Sequence, residues 1–166
     1  MLYRDCPTVE VTRRVEATPA AAWAVVSDIT VPARFSPELQ SVAWVGEGNG
    51  LTVGRRFRGT NSNAMLGEWT TECQVVEVEE GRRWVWEVEN GSGSPSATWG
   101  FEVEPTSTGA LVRQWGRMGP APSGLTAAIV AMPAKEARIV AGRIEEWRAG
   151  MSATLDGIAE LLAGRG

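Results

Sequence analysis

Six runs rich in β-branched and aromatic residues follow one another between residues 41 and 118, with no helical pattern between them. They read "SVAWVG", "RRFRGTNS", "GEWTTECQVVEVEE", "RRWVWEVEN", "SATWGFEVEP" and "ALVRQWGRM". Turn signals separate them: Gly48-Asn49-Gly50, Glu80-Gly81, Asn90 to Pro95 and Pro105 to Gly109. Parallel strands need long crossovers, so runs joined by links this short predict an antiparallel meander. A further strand precedes them. In "TVEVTRRVEA", Val9, Val11, Arg13 and Val15 alternate with Thr8, Glu10, Thr12, Arg14 and Glu16, giving one largely apolar face and one polar face.

Helical patterns flank this meander. In "ATPAAAWAVVSDI", Thr18 is placed to cap a helix, Pro19 fits its first position, and Ala22, Trp23, Val26 and Ile29 form an apolar stripe. Trp23 is expected to pack on the outer side of the sheet. "VPARFSPELQ" predicts a second short helical turn with Phe35 directed inward, and "SGLTAAIVAM" a short helix or lid, with Pro133 at the joint. From about 134 to 163, Ile139, Val140, Ile144, Trp147, Met151, Leu155, Ile158 and Leu162 recur at helical spacing. The predicted class is therefore α+β: a seven-stranded antiparallel sheet wrapped around a long C-terminal helix, with two short helices after the first strand. One domain over 1–166 is expected. A curved sheet around a cylinder leaves space at one end, and that space is where a ligand would go.

Composition narrows the chemistry. The chain has 166 residues, no histidine, and eight tryptophans against one tyrosine and three phenylalanines. Ser-His-Asp triads, Cys-His pairs and His-ligated zinc are thereby excluded, and neither a metal nor a cofactor is expected. The net charge of −4, without a basic block, argues against a nucleic-acid partner. No apolar run approaches membrane-span length and no leader pattern opens the chain, so a cytoplasmic protein without a membrane partner is expected. Cys6 and Cys73 fall in no CxxC pattern and read as free thiols. Gly46, Gly48 and Gly50 lack the strand–helix context of a dinucleotide loop. A monomer or a homodimer is compatible with all of this. The preference for arginine over lysine, with Lys135 the sole lysine, suggests a bacterial source of high GC content.

Strand parity nominates the inward side chains. Trp44, Phe57, Trp69, Thr71, Trp84, Trp86 and Trp99 all fall on the apolar face of their strands, and Trp147 stands on the long helix between Ile144 and Met151. These aromatics either fill a core or wall a cavity in which a flat ligand stacks. Among polar groups, Asn61 follows Gly59 on the inward face, and Gln114 shares a face with Val112, Gly116 and Met118. The opposite register would turn Arg113 inward instead. Glu136 and Arg143 flank the helix stripe, with Met132 and Val140 one turn from Glu136. They are either solvated shoulders of the helix or an acid–base and anion-binding pair.

The stretches "PAAAWAVVSDITVPARFSPEL", "VGRRFRGTN", "WTTECQVVEVEEGRRWVWEV", "ATWGFEVEPTSTGALV" and "RIEEWRAGMSATLDGIAELL" resemble the START-related (SRPBCC) superfamily, in its bacterial polyketide cyclase/dehydrase-like branch. The likeness covers nearly the whole chain and implies the helix-grip fold. It also implies a cavity for a hydrophobic, aromatic or polyketide-like small molecule, and a role in its cyclisation, dehydration or aromatisation in secondary metabolism. Under this resemblance Glu136, Arg143, Asn61 and Gln114 are the candidate catalytic groups. Trp44, Phe57, Trp69, Thr71, Trp84, Trp86, Trp99, Met132, Val140 and Trp147 are the candidate ligand contacts. The superfamily also contains non-catalytic carriers and sensors of lipids and metabolites, and interaction modules whose groove holds a partner segment, so fold alone does not select the reaction.

Overall fold

The computed structural model describes residues 1–164. Strand β1 (Thr8–Val15) leads into helix α1 (Pro19–Val26) and a 3-10 turn (Pro32–Arg34). Strands β2 (Leu39–Val45), β3 (Arg56–Asn63), β4 (Gly67–Glu79), β5 (Arg83–Glu89), β6 (Pro95–Thr106) and β7 (Gly109–Met118) follow. Helices α2 (Gly124–Ala131) and α3 (Glu136–Ala163) close the chain. The seven strands form one antiparallel sheet in the order β1-β7-β6-β5-β4-β3-β2, so every neighbour but β1–β7 is a sequential hairpin. The long helix against this sheet is the helix-grip arrangement. The second short helical turn expected after β1 is this 3-10 turn, and Pro32 and Pro37 bracket a segment too short for an α-helical nucleus. No helix among the described residues is long and apolar enough to cross a membrane.

Local chemistry accounts for the ends of the elements. Thr18 Oγ1 accepts from the Ala21 N–H at 3.1 Å, and Pro19 occupies the first turn of α1, where its missing N–H costs nothing. Ser123 caps α2 reciprocally: its Oγ accepts from the Leu125 N–H, and its own N–H donates to Thr126 Oγ1.

Strand register carries the inward aromatics into rows. Trp44, Phe57, Cys73, Val88, Ala97 and Met118 lie across β2 to β7 in one rung. A bulge between Val75 and Glu77 on β4 then shifts pairing, so that Val78 rather than Glu77 meets Trp84. Helix α3 is held by two separate cores. Toward its C-terminus, Leu155, Ile158 and Leu162 are buried with Trp84, Phe101 and Val112. Toward its N-terminus, Val140 and Ile144 are buried with Tyr3, Val9 and Met118. Each fully buried aliphatic side chain contributes about 1.5–3 kcal/mol relative to exposure.

Trp23 departs from expectation. It is 6% exposed and belongs to the first core, on the concave side, with its Nε1 donating to Glu80 Oε1 at 2.9 Å. Helix α1 packs on β6, β7 and α3 together, plugging one end of the concave face instead of covering the outer one. Phe35 packs inward as expected. It lies against Gly157 of α3, where any side chain would overlap its ring.

Candidate functional site

Between the two cores the concave face stays open over a cavity of about 880 Å³. Protein interiors pack densely and hold few voids larger than a water molecule, so a space of this size is not a packing defect. It falls within the range of small-molecule sites.

Its wall is aromatic. Trp84 and Trp86, two residues apart on β5, stack with centroids 4.4 Å apart, and Trp86 and Trp99 are nearly parallel at 6.5 Å. Trp147 of α3 completes the row at 4.3 Å from Trp99. Trp84 is a core residue, 2% exposed, its Nε1 donating to the Val26 carbonyl at 2.8 Å. Trp86, Trp99 and Trp147 are half-buried and present indole surface to the open volume. Room for Trp99 comes from Gly116, directly opposite on β7.

Of the other residues nominated from sequence, Phe57, Trp69, Thr71, Asn61, Gln114 and Arg143 line this cavity. Gln114 is buried and faces inward, whereas Arg113 points outward to Glu102 and Glu10. Asn61 Nδ2 reaches Thr71 Oγ1 at 3.4 Å. Four nominated residues stand elsewhere. Trp44, on the edge strand, meets Phe57 edge-on at 5.7 Å and is covered by the Arg55 guanidinium at 3.8 Å. Val140 is fully buried in the second core, and Met132 is exposed beyond α2. Glu136 Oε1 accepts the Tyr3 N–H at 2.9 Å, tying the N-terminal segment to the start of α3.

Arg143 sits in an ion-pair cluster at the rim of the cavity. Its guanidinium makes two hydrogen bonds to Glu38, at 2.6 and 2.7 Å, and one to Glu146 at 2.7 Å. Asn63 also donates to Glu38, and Trp69 lies 5.9 Å below the guanidinium. Burial opposes the charge on Arg143, but the two carboxylates outweigh it and hold its pKa above the ordinary value. The Cys73 thiol, also on the wall, is pushed up to about 12 by burial and so remains protonated at neutral pH. Burial likewise raises the Tyr3 phenol, whose hydroxyl donates to the Ala121 carbonyl at 2.7 Å.

Several lining residues were not singled out from sequence. Phe101, Val88 and Cys73 share strand parity with the nominated tryptophans, and Met151 and Thr154 lie four and seven residues beyond Trp147. Those periodicities contain the signal. Glu38 comes from an irregular segment and Tyr3 from a 3-10 turn (Tyr3–Asp5) before β1, and neither carries such a periodicity.

The family described as polyketide cyclase / dehydrase and lipid transport matches residues 7–156. The chain belongs to this family. Among solved structures it is similar to the Polyketide_cyc-like protein of Corynebacterium glutamicum, at 26% identity and a TM-score of 0.65, over 94% of this chain and 91% of the other. It also shares its fold with StfQ, a di-domain ARO/CYC of the steffimycin biosynthetic pathway, at 15% identity and a TM-score of 0.73. That match takes in 98% of this chain and 53% of StfQ. The di-domain ARO/CYC BexL of the BE-7585A pathway is similar at 14% identity and a TM-score of 0.71, over 94% of this chain and 50% of BexL. This chain thus spans about half the length of each di-domain protein. Among curated protein sequences nothing matches.

Proposed function

We propose that this protein binds a hydrophobic, aromatic or polyketide-like molecule in the cavity and promotes its cyclisation, dehydration or aromatisation in bacterial secondary metabolism. The observation that carries the reading is the row of half-buried indoles along an open volume of about 880 Å³. An indole beside empty space has no packing partner on that side, and a flat ligand supplies one. A reactive poly-β-keto chain needs its folded conformation held more than it needs a strong reagent, and a rigid aromatic wall provides that proximity. Asn61 and Gln114 are the proposed polar contacts for a developing enolate, with solvent carrying the protons. Arg143 acts at the rim, where its charge is shared with Glu38 and Glu146.

A carrier or sensor role is the second reading. It is favoured by the engagement of Arg143 with two carboxylates and by the protonated state of Cys73, which leave neither group free as a reagent. Titration of the intrinsic tryptophan fluorescence with polycyclic aromatics, followed by incubation with a poly-β-keto thioester, separates the two. Saturable quenching with a cyclised product supports the enzyme, and quenching without product supports the carrier. The absence of quenching by every aromatic would overturn both.

A further inference from the structure

Gln114 is the polar group of the cavity wall whose chemistry is least accounted for by the protein itself. The side chain is 7% exposed, and its Oε1 has no hydrogen-bond partner among the described residues. On β7 it faces Val11 of β1 and Phe101 of β6, and Trp84 of β5 continues the same rung. These neighbours are apolar apart from the Trp84 N–H, which is committed to Val26. From α3, Thr154 lines the same cavity, but its hydroxyl already donates to the Gly150 carbonyl at 2.9 Å.

The charged groups of the lining gather elsewhere. Arg143 is paired with both Glu38 and Glu146, and it precedes Thr154 by eleven residues, about 16 Å along the helix. Glu89 is paired with Arg56 near the opposite end of β5 from Trp84.

We propose that Gln114 selects the ligand: the cavity takes a flat, neutral aromatic molecule whose leading end carries a hydroxyl, phenolic or enolic, donating to Gln114 Oε1. This deepens the ligand-binding reading above and rests on it. A buried acceptor without a donor is destabilising, and a ligand O–H relieves that penalty on binding. A ketone or a methyl ether only accepts, so either would leave Oε1 unpaired. A hydroxyl both donates and accepts, and therefore suits a carboxamide in either orientation. A carboxylate entering first would meet the apolar side chains flanking Gln114, and Arg143 of the lining is already engaged by Glu38 and Glu146, so fatty-acid-like ligands are disfavoured in that orientation.

The test is calorimetric binding of 2-naphthol, 2-methoxynaphthalene and 2-naphthoate to the wild type and to Gln114→Met. Methionine keeps the length of the side chain and removes both amide atoms. The wild type is expected to prefer naphthol over its ether by about 10- to 100-fold, the range of one hydrogen bond to a buried partner, with naphthoate the weakest. In Gln114→Met that preference should shrink to within about threefold, through loss of naphthol affinity and not gain of ether affinity. Gln114→Leu, compared in the same way, guards against a folding defect peculiar to methionine. Equal binding of naphthol and ether to the wild type, or a preference that survives both substitutions, overturns the proposal while leaving the cavity a ligand site. Failure of every naphthalene and larger polycycle to bind the wild type overturns the ligand-binding reading itself.

Discussion

Trp99 on β6 occupies the space that Gly116 on β7 leaves empty: a Cβ on Gly116 would lie 2.6 Å from Trp99 Cζ3. The same ring packs 4.3 Å from Trp147 on α3, so one missing side chain on the sheet sets the position of an indole that reaches the helix. Gly116→Ala should push Trp99 toward the open volume, at a cost of about 1–3 kcal/mol from overpacking. Denaturant unfolding measures the loss. A changed tryptophan emission spectrum, with weaker binding of flat aromatics, would locate it at the cavity.

Gly157 and Phe35 form a second close approach, and here two effects compete. Gly→Ala within a helix ordinarily stabilises by about 1 kcal/mol, but at position 157 the methyl would overlap the Phe35 ring. Overpacking of about 1–3 kcal/mol wins, so Gly157→Ala should destabilise. In a Phe35→Ala background the clash is gone, and the same substitution should become neutral or stabilising. A double-mutant cycle by chemical denaturation reads the reversal of sign directly.

The Glu38–Arg143 pair joins the segment before β2 to α3 at the cavity rim, with the Arg143 side chain 12% exposed. Glu38→Gln leaves a mostly buried guanidinium short of its two-fold partner and should cost about 1–3 kcal/mol. Glu146→Gln removes a more exposed carboxylate and should cost less than about 1 kcal/mol. Comparable losses for the two variants would contradict the bidentate arrangement.

Cys73 makes stability depend on alkaline pH. Its thiol titrates near 12 in the folded chain against a usual value of 9.0. In that window the unfolded chain has lost the proton and the folded chain retains it. The stabilisation is therefore complete below about pH 9 and declines as pH rises toward 12. Tyr3, raised above its usual 10.0 by burial, adds to the decline in the same sense. Cys73→Val should flatten the slope of unfolding free energy above pH 9. The wild-type thiol should also react with disulfide reagents far more slowly at pH 8 than that of Cys6, which is partly exposed.

Much of this architecture was legible because its signals are local. Period-two alternation fixes which side chains share a face, so Phe57, Trp69, Trp84, Trp86 and Trp99 could be placed on the concave side from their neighbours alone. The stripe of α3 and the cap at Thr18 are local in the same way. For Gln114, parity allows two registers. The pairing of Gln114 with Val11 and Phe101 chooses between them.

Other features depend on distances along and between elements that no periodicity encodes. Glu136 and Arg143 lie on nearly the same side of α3, but seven residues of helix separate them by about 10 Å. Only Arg143 reaches the cavity, because the N-terminal segment through Tyr3 occupies the helix start. Trp44 has the parity of a wall residue, yet Phe57 and Arg55 enclose it at the sheet edge. The stripe around Trp23 shows that it is buried but not against which surface, and only the packing of α1 on β6, β7 and α3 places it. The pattern of residues by itself determined the strands, the helices and the composition of the concave face. Where that face closes into core and where it stays open was decided only by the tertiary structure, because the gap depends on how far the curved sheet stands from a straight helix pinned at both ends.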